Sequence, residues 1–151
     1  MAYERVHTLS DYYDGPREGL ANYHGKPHRY LNQWDNTADD WSETYELTPV
    51  DAEIFGLEME RWQIWRTWEQ AFHAGEVPHE SHPGYGGQNA RYDELGRIVA
   101  WRMLNLKPLD FRLAATFRAV QAHDAKPGVL RELEVEWSLP SNTSLERTRG
   151  R

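Results

Sequence analysis

Between Thr48 and Gly75 the apolar residues Phe55, Met59, Trp62, Trp65, Trp68 and Phe72 recur at steps of three or four, with Glu53, Glu58, Glu60, Arg61, Arg66 and Gln70 set among them. That spacing predicts one long amphipathic helix, its aromatic stripe covered by another part of the fold and its polar face solvated. Thr48 as N-cap, Pro49 at the first helical position and Asp51 as capping-box partner predict its start, and Gly75 its stop. A second helix is predicted from Asn89 to about Leu104 on Tyr92, Leu95, Ile98 and Val99, with Gly96 a weak point inside it.

On either side of these helices the period falls to two. Phe111, Leu113, Ala115, Phe117 and Ala119, then Leu133, Val135, Trp137 and Leu139, alternate with polar residues about a turn at 123–128, which predicts a hairpin. Its expected register sets Phe117 against Leu133, Ala115 against Val135, Leu113 against Trp137 and Arg118 against Glu132. Ahead of the helices, residues 19–23 and 28–34 flank His24-Gly25-Lys26-Pro27, a second hairpin with His24-Gly25 as its tip. Pro27 marks an exposed edge there. Residues 3–13 read as a short strand or arm. One apolar face per strand predicts an α+β fold, with two helices packed on one face of a mainly antiparallel β-sheet built from an N-terminal and a C-terminal hairpin.

Composition narrows the class of protein. A length of 151 residues suits one domain, here 1–139, followed by a polar tail, 140–151, that is expected to be disordered. Aromatic residues make up 13% of the chain, and seven Trp and eight Tyr exceed what two helices and one sheet can bury, so homodimerisation or a small-molecule ligand is expected of the excess. The rings assigned to that interface or ligand role are Trp62, Trp65, Tyr23, Tyr30 and Tyr85. No cysteine is present, which removes disulfides, thiolate ligands and cysteine nucleophiles. The net charge of −7, with arginines scattered among acids, disfavours nucleic acid. The first residues carry no apolar leader, and no apolar run approaches the roughly 20 residues that span a bilayer, so no membrane partner and a cytoplasmic location are expected.

The chemistry-bearing residues gather in one place. Glu69 and His73 lie one turn apart on the long helix, and His79, Glu80 and His82 follow in the loop 76–88. Imidazoles and carboxylates in that order are the candidate catalytic set, for acid/base or metal-assisted hydrolysis. His73, His79 and His82, with the carboxylates beside them, are the candidate metal ligands, yet the helical His-Glu-x-x-His pattern is absent and no metal or other cofactor is expected. His24 and His28 read as turn residues. Ser81 sits in no nucleophile elbow. Gly84-Tyr85-Gly86-Gly87 offers amides to an anion but lacks a phosphate-loop pattern. The segment 35–46 holds Asp35, Asp39, Asp40, Glu43 and Glu46 without one base, and its spacing is not that of an EF-hand, so it reads as a solvated acidic loop leading into a strand.

Residues 11–19, 25–28, 65–69 and 71–75 resemble a group of uncharacterised bacterial proteins of similar length. That resemblance implies a folded family and brings no activity. The tail Ser141-Asn142-Thr143-Ser144-Leu145-Glu146-Arg147-Thr148-Arg149 is similar to the read-through of recombination sites that end integron gene cassettes. It implies an integron cassette protein, of a kind that is typically small, soluble and often homo-oligomeric. Together these readings favour a non-enzymatic binding or adaptor protein, with the hydrolase as the alternative.

Overall fold

The computed structural model describes residues 2–120 and 132–140. The turn expected at 123–128 and all of the expected tail except Pro140 lie outside them. The fold is α+β, with two helices and several antiparallel sheets. It is laid out as two compact units, one holding residues 2–50, 107–119 and 133–140, the other residues 51–106 with Val120 and Glu132.

The first unit is all β. Its strands are β1 (Glu4–Arg5), β2 (Asp11–Tyr12), β3 (Pro16–Tyr23), β4 (Lys26–Leu31), β5 (Trp34–Asp35), β6 (Asp40–Trp41), β7 (Glu46–Pro49), β8 (Ala114–Ala119) and β9 (Leu133–Ser138). The N-terminal and C-terminal hairpins lie in different sheets, ordered β2-β3-β4-β7 and β1-β9-β8. Two isolated antiparallel bridges, Val6 to Ala21 and Tyr45 to Leu113, join the margins of those sheets. The pairing therefore runs in a circuit, β1-β3-β4-β7-β8-β9 and back to β1 through these two bridges, with β2 on the margin of β3. The ribbon β5-β6 stands outside it.

Side chains fill the circuit. Tyr30, Tyr45, Phe117 and Trp137 each touch the other three, with ring centroids 5.8–6.4 Å apart. Burial of such rings requires their polar atoms to be served, and they are. The Tyr30 hydroxyl donates to the Thr8 carbonyl at 2.8 Å, the Tyr45 hydroxyl to that of Pro16 at 2.6 Å, and the Trp137 indole to that of Asn22 at 2.9 Å. Tyr30 is thus fully buried, not among the interface or ligand rings where the sequence placed it. Gly19 stands opposite Tyr30, and a Cβ there would come within 2.6 Å of the Tyr30 oxygen and still closer to the Thr8 carbonyl.

Several expectations are corrected in detail. The C-terminal hairpin pairs Ala115 with Trp137, Phe117 with Val135, Ala119 with Leu133 and Arg118 with Glu134, two residues away from the expected register. A slip of two leaves every side chain on its own face, so alternation does not detect it. Phe111 and Leu139 are exposed and lie outside the strands. The tip His24-Gly25 forms as expected, with φ of 52° and 74°, the two positive values a type I′ turn requires. Glu4 secures it by accepting from both tip amides. Pro27 is not on an edge, because β4 pairs with both β3 and β7. It is tolerated one residue beyond the last β4–β7 pair, His28 with Pro49, where the ladder needs no N–H.

The second unit holds α1 (Ala52–His73), a 3₁₀ turn at His79–Ser81 and α2 (Ala90–Met103). Thr48 and Pro49 belong to β7, so the N-cap of α1 is Asp51, whose carboxylate accepts from the Ile54 amide at 2.8 Å. At the other end Gly75 takes φ 74°, with its amide on the Phe72 carbonyl and that of Glu76 on Ala71, which is a Schellman stop. Asn89 caps α2 as expected. The polar face of α1 is exposed as expected at Glu53, Glu60 and Gln70, and it also carries ion pairs to α2. Glu60 grips Arg91 with both oxygens, at 2.7 and 2.9 Å, and Glu53 grips Arg102. The Arg61 guanidinium lies 4.0 Å from the Tyr92 ring centroid. Gly96 makes room for that guanidinium, 3.2 Å from where a Cβ would stand. Among the described residues no helix is long and apolar enough to cross a membrane.

Candidate functional site

The aromatic stripe of α1 meets the loop that follows it. Trp62 stacks on Trp65 at 5.2 Å and Trp68 on Phe72 at 5.0 Å, each pair within 11° of parallel, as residues three or four apart on one helical face can. The loop closes over them because the Schellman stop turns the chain back. His82 lies edge-on to Trp65 at 6.3 Å and to Trp68 at 4.4 Å, and His79 reaches Phe72 at 6.0 Å. Tyr85 completes the set, 5.4 Å from His82 and 5.7 Å from His79. The result is an unbroken run of rings, Trp62, Trp65, His82, Trp68, Phe72, His79 and Tyr85, with His79 and Tyr85 exposed.

Hydrogen bonds fix the loop on the helix. The Trp68 indole donates to Ser81 Oγ at 2.9 Å, and the Ser81 hydroxyl donates to the Pro78 carbonyl at 2.6 Å. Ser81 is thereby a strut between helix and loop. Both ring nitrogens of His82 face donors, Nε2 the Trp65 indole at 3.2 Å and Nδ1 the Gly84 amide at 2.8 Å, and the neutral imidazole, with one N–H of its own, accepts from one of the two. A protonated imidazole would point N–H groups at N–H groups on both sides. Burial, and after it the neighbouring His79, hold the His82 pKa below the ordinary histidine range.

The expected catalytic set is only partly assembled. His79 and His82 share the ring cluster, and His73 touches Phe72 at its margin. Glu80 is exposed on the 3₁₀ turn. Glu69 is 4% exposed and its Oε1 accepts from Arg66 at 2.8 Å, which gives a buried carboxylate a cation three residues away. Among the described residues no three His, Asp or Glu side chains converge as a metal ion requires. The amide of Gly87 donates to Asp93 Oδ2 at 2.9 Å, so the glycine-rich segment is engaged by a carboxylate of α2. The acidic segment is likewise put to local use, with Asp35 accepting from the amides of Thr37 and Ala38.

Of the other assigned rings, Tyr23 lies in the first unit against His24, His28 and Phe111. His28 is buried, its Nδ1 2.8 Å from the Lys26 carbonyl. The sequence reading passed over one group entirely. Trp34 and Trp41 meet edge to face at 5.5 Å across the β5-β6 ribbon, with Tyr13 6.2 Å from Trp41. The available signal is two tryptophans, Trp34 and Trp41, flanking a polar segment of turn-forming residues, which pairs them across the ribbon. The chain matches no protein-family model, no curated protein and no solved structure.

Proposed function

We propose that this chain is a non-enzymatic binding protein that takes a small planar or apolar molecule against the ring shelf of α1 and its following loop. The observation that carries the reading is the unbroken contact of seven rings, with the Trp65 indole on His82 and the Trp68 indole on Ser81. Such a surface offers stacking area, the chemistry of an aromatic site. Hydrolysis is less well served, because Glu69 is committed to Arg66 and both nitrogens of His82 are met by N–H donors. Indole and 2-naphthol, titrated by saturation-transfer NMR, are expected to bind saturably. Tyr85→Ala, at an exposed ring, is expected to weaken them about tenfold, in line with the loss of one ring contact. Binding that does not saturate, or that ignores this substitution, rejects the shelf as the site.

Self-association is a second reading, favoured by Trp101 and Leu104 at the end of α2, which are 70% and 77% exposed. Large apolar side chains so placed are typical of a two-fold contact. Sedimentation at micromolar concentration is expected to give twice the chain mass, and Trp101→Glu to return the monomer. A monomer in the unaltered protein would remove this reading.

A further inference from the structure

The surface around β5-β6 carries rings and carboxylates together. Tyr13 is 70% exposed and Trp34 47%, and with Trp41 they form a row of ring contacts at 5.5 and 6.2 Å. Asp14 follows Tyr13 and Asp35 follows Trp34, while Asp40 precedes Trp41 and stands directly opposite Asp35 in the ribbon. Backbone amides already serve one oxygen of each, those of Thr37 and Ala38 at Asp35 and that of Trp41 at Asp40, and a cation between two like charges adds to that relief. The protein's own Arg17 shows what this surface accommodates. Its guanidinium lies 4.0 Å from the Trp41 ring centroid, and its N–H groups donate to the Tyr13 carbonyl at 2.8 Å, the Asp14 carbonyl at 2.7 Å and Asn32 Oδ1 at 2.8 Å.

We propose that Tyr13, Trp34 and Trp41, with Asp14, Asp35 and Asp40, form a docking site for an arginine-rich peptide segment of a partner protein. Charge complementarity selects the occupant. Asp14, Asp35, Asp39 and Asp40 outnumber Arg17 at this surface, since Glu46 of the segment 35–46 already faces Arg112, and a surplus of acids repels phosphate backbones and anionic membranes and attracts a basic peptide. Arginine is favoured over lysine because a planar guanidinium both stacks on a ring and pairs with a carboxylate through two N–H groups. A row of three rings also takes more than one side chain, which a peptide with spaced arginines supplies and a single small cation does not.

The test is fluorescence anisotropy with a labelled dodecapeptide of alternating arginine and glycine, set against the lysine counterpart. The unaltered protein is expected to bind the arginine peptide about tenfold more tightly than the lysine one. The double variant Tyr13→Leu/Trp34→Leu keeps the net charge and is expected to lose about tenfold for the arginine peptide and little for the lysine one. Asp35→Asn/Asp40→Asn is expected to weaken both. Equal affinity for the two peptides, or a ring variant that binds arginine as the unaltered protein does, would reduce the attraction to net acidity and overturn the proposal. So would a protein that ignores the peptide while the ring variant dissociates its dimer, since the occupant is then a second copy. If the double variant melts lower, Tyr13→Leu alone, at the more exposed ring, makes the same comparison.

Discussion

Gly19 and Trp137 are two sides of one packing solution. The first supplies no atoms where Tyr30 and the Thr8 carbonyl approach β3, and the second supplies the largest fully buried side chain. Interiors packed to crystal-like density respond to both excess and deficit of volume. Gly19→Ala is expected to destabilise by about 3 kcal/mol, because the nearest atom is backbone and cannot rotate away. Trp137→Ala leaves a cavity among three rings and frees the Asn22 carbonyl, at an expected cost of about 3–5 kcal/mol. Urea unfolding checks both, and a loss below about 1 kcal/mol at either position would contradict the packing described. The sequence marks Trp137 as inward through its alternation with Val135, yet says nothing of Gly19. The hairpin about His24-Gly25 sets Tyr30 opposite Gly19, but the need for glycine also arises from the Thr8 carbonyl, which only the fold brings to it.

At the scale of elements, α1 shows how far periodicity reaches. Steps of three and four define its aromatic face, and that face does meet other rings. On the polar face the pattern is incomplete rather than wrong, because Glu53 and Glu60 are exposed as they read, yet they and Arg61 each also have a partner on α2. Hydropathy registers charge and not the opposite charge waiting on another helix. The start of α1 failed for a related reason. Thr48-Pro49 has the composition of a cap, but the pairing of β7 with β4 claims those residues and leaves Asp51, the next capping side chain, to begin the helix. Glu69 falls on the aromatic side of α1, where a buried carboxylate is stable only if its cation remains. Arg66→Ala is expected to cost about 3 kcal/mol by removing that cation, and Glu69→Gln distinctly less. Thermal unfolding of the pair decides, and equal small losses would make the ion pair a surface ornament.

At the scale of the whole molecule, closure of the strand circuit is the feature least legible in the sequence. It rests on Val6 meeting Ala21 and Tyr45 meeting Leu113, two single bridges between residues that carry no local pairing signal. The two units share one electrostatic property. His7 in the first, whose Nε2 is 2.8 Å from Asn22 Oδ1, and His82 in the second both have pKa values lowered chiefly by burial, with Arg5 adding to the effect at His7 and His79 at His82. A histidine whose folded pKa lies below its unfolded value contributes stability that is fully present above about pH 6.5 and is lost as the pH falls through the folded value. The protein is therefore expected to melt lower at pH 5 than at pH 7.5. Carboxylates contribute little over that interval, because their ordinary values lie near 4 and the Arg91 bond holds that of Glu60 lower still. Gln at both positions retains an acceptor and a donor without a charge to gain, so His7→Gln/His82→Gln should flatten the melting temperature between pH 7.5 and pH 5. A double variant with the full acid-induced drop would show that the loss arises elsewhere. A variant flattened by only one of the two substitutions would assign the acid sensitivity to the unit that holds it.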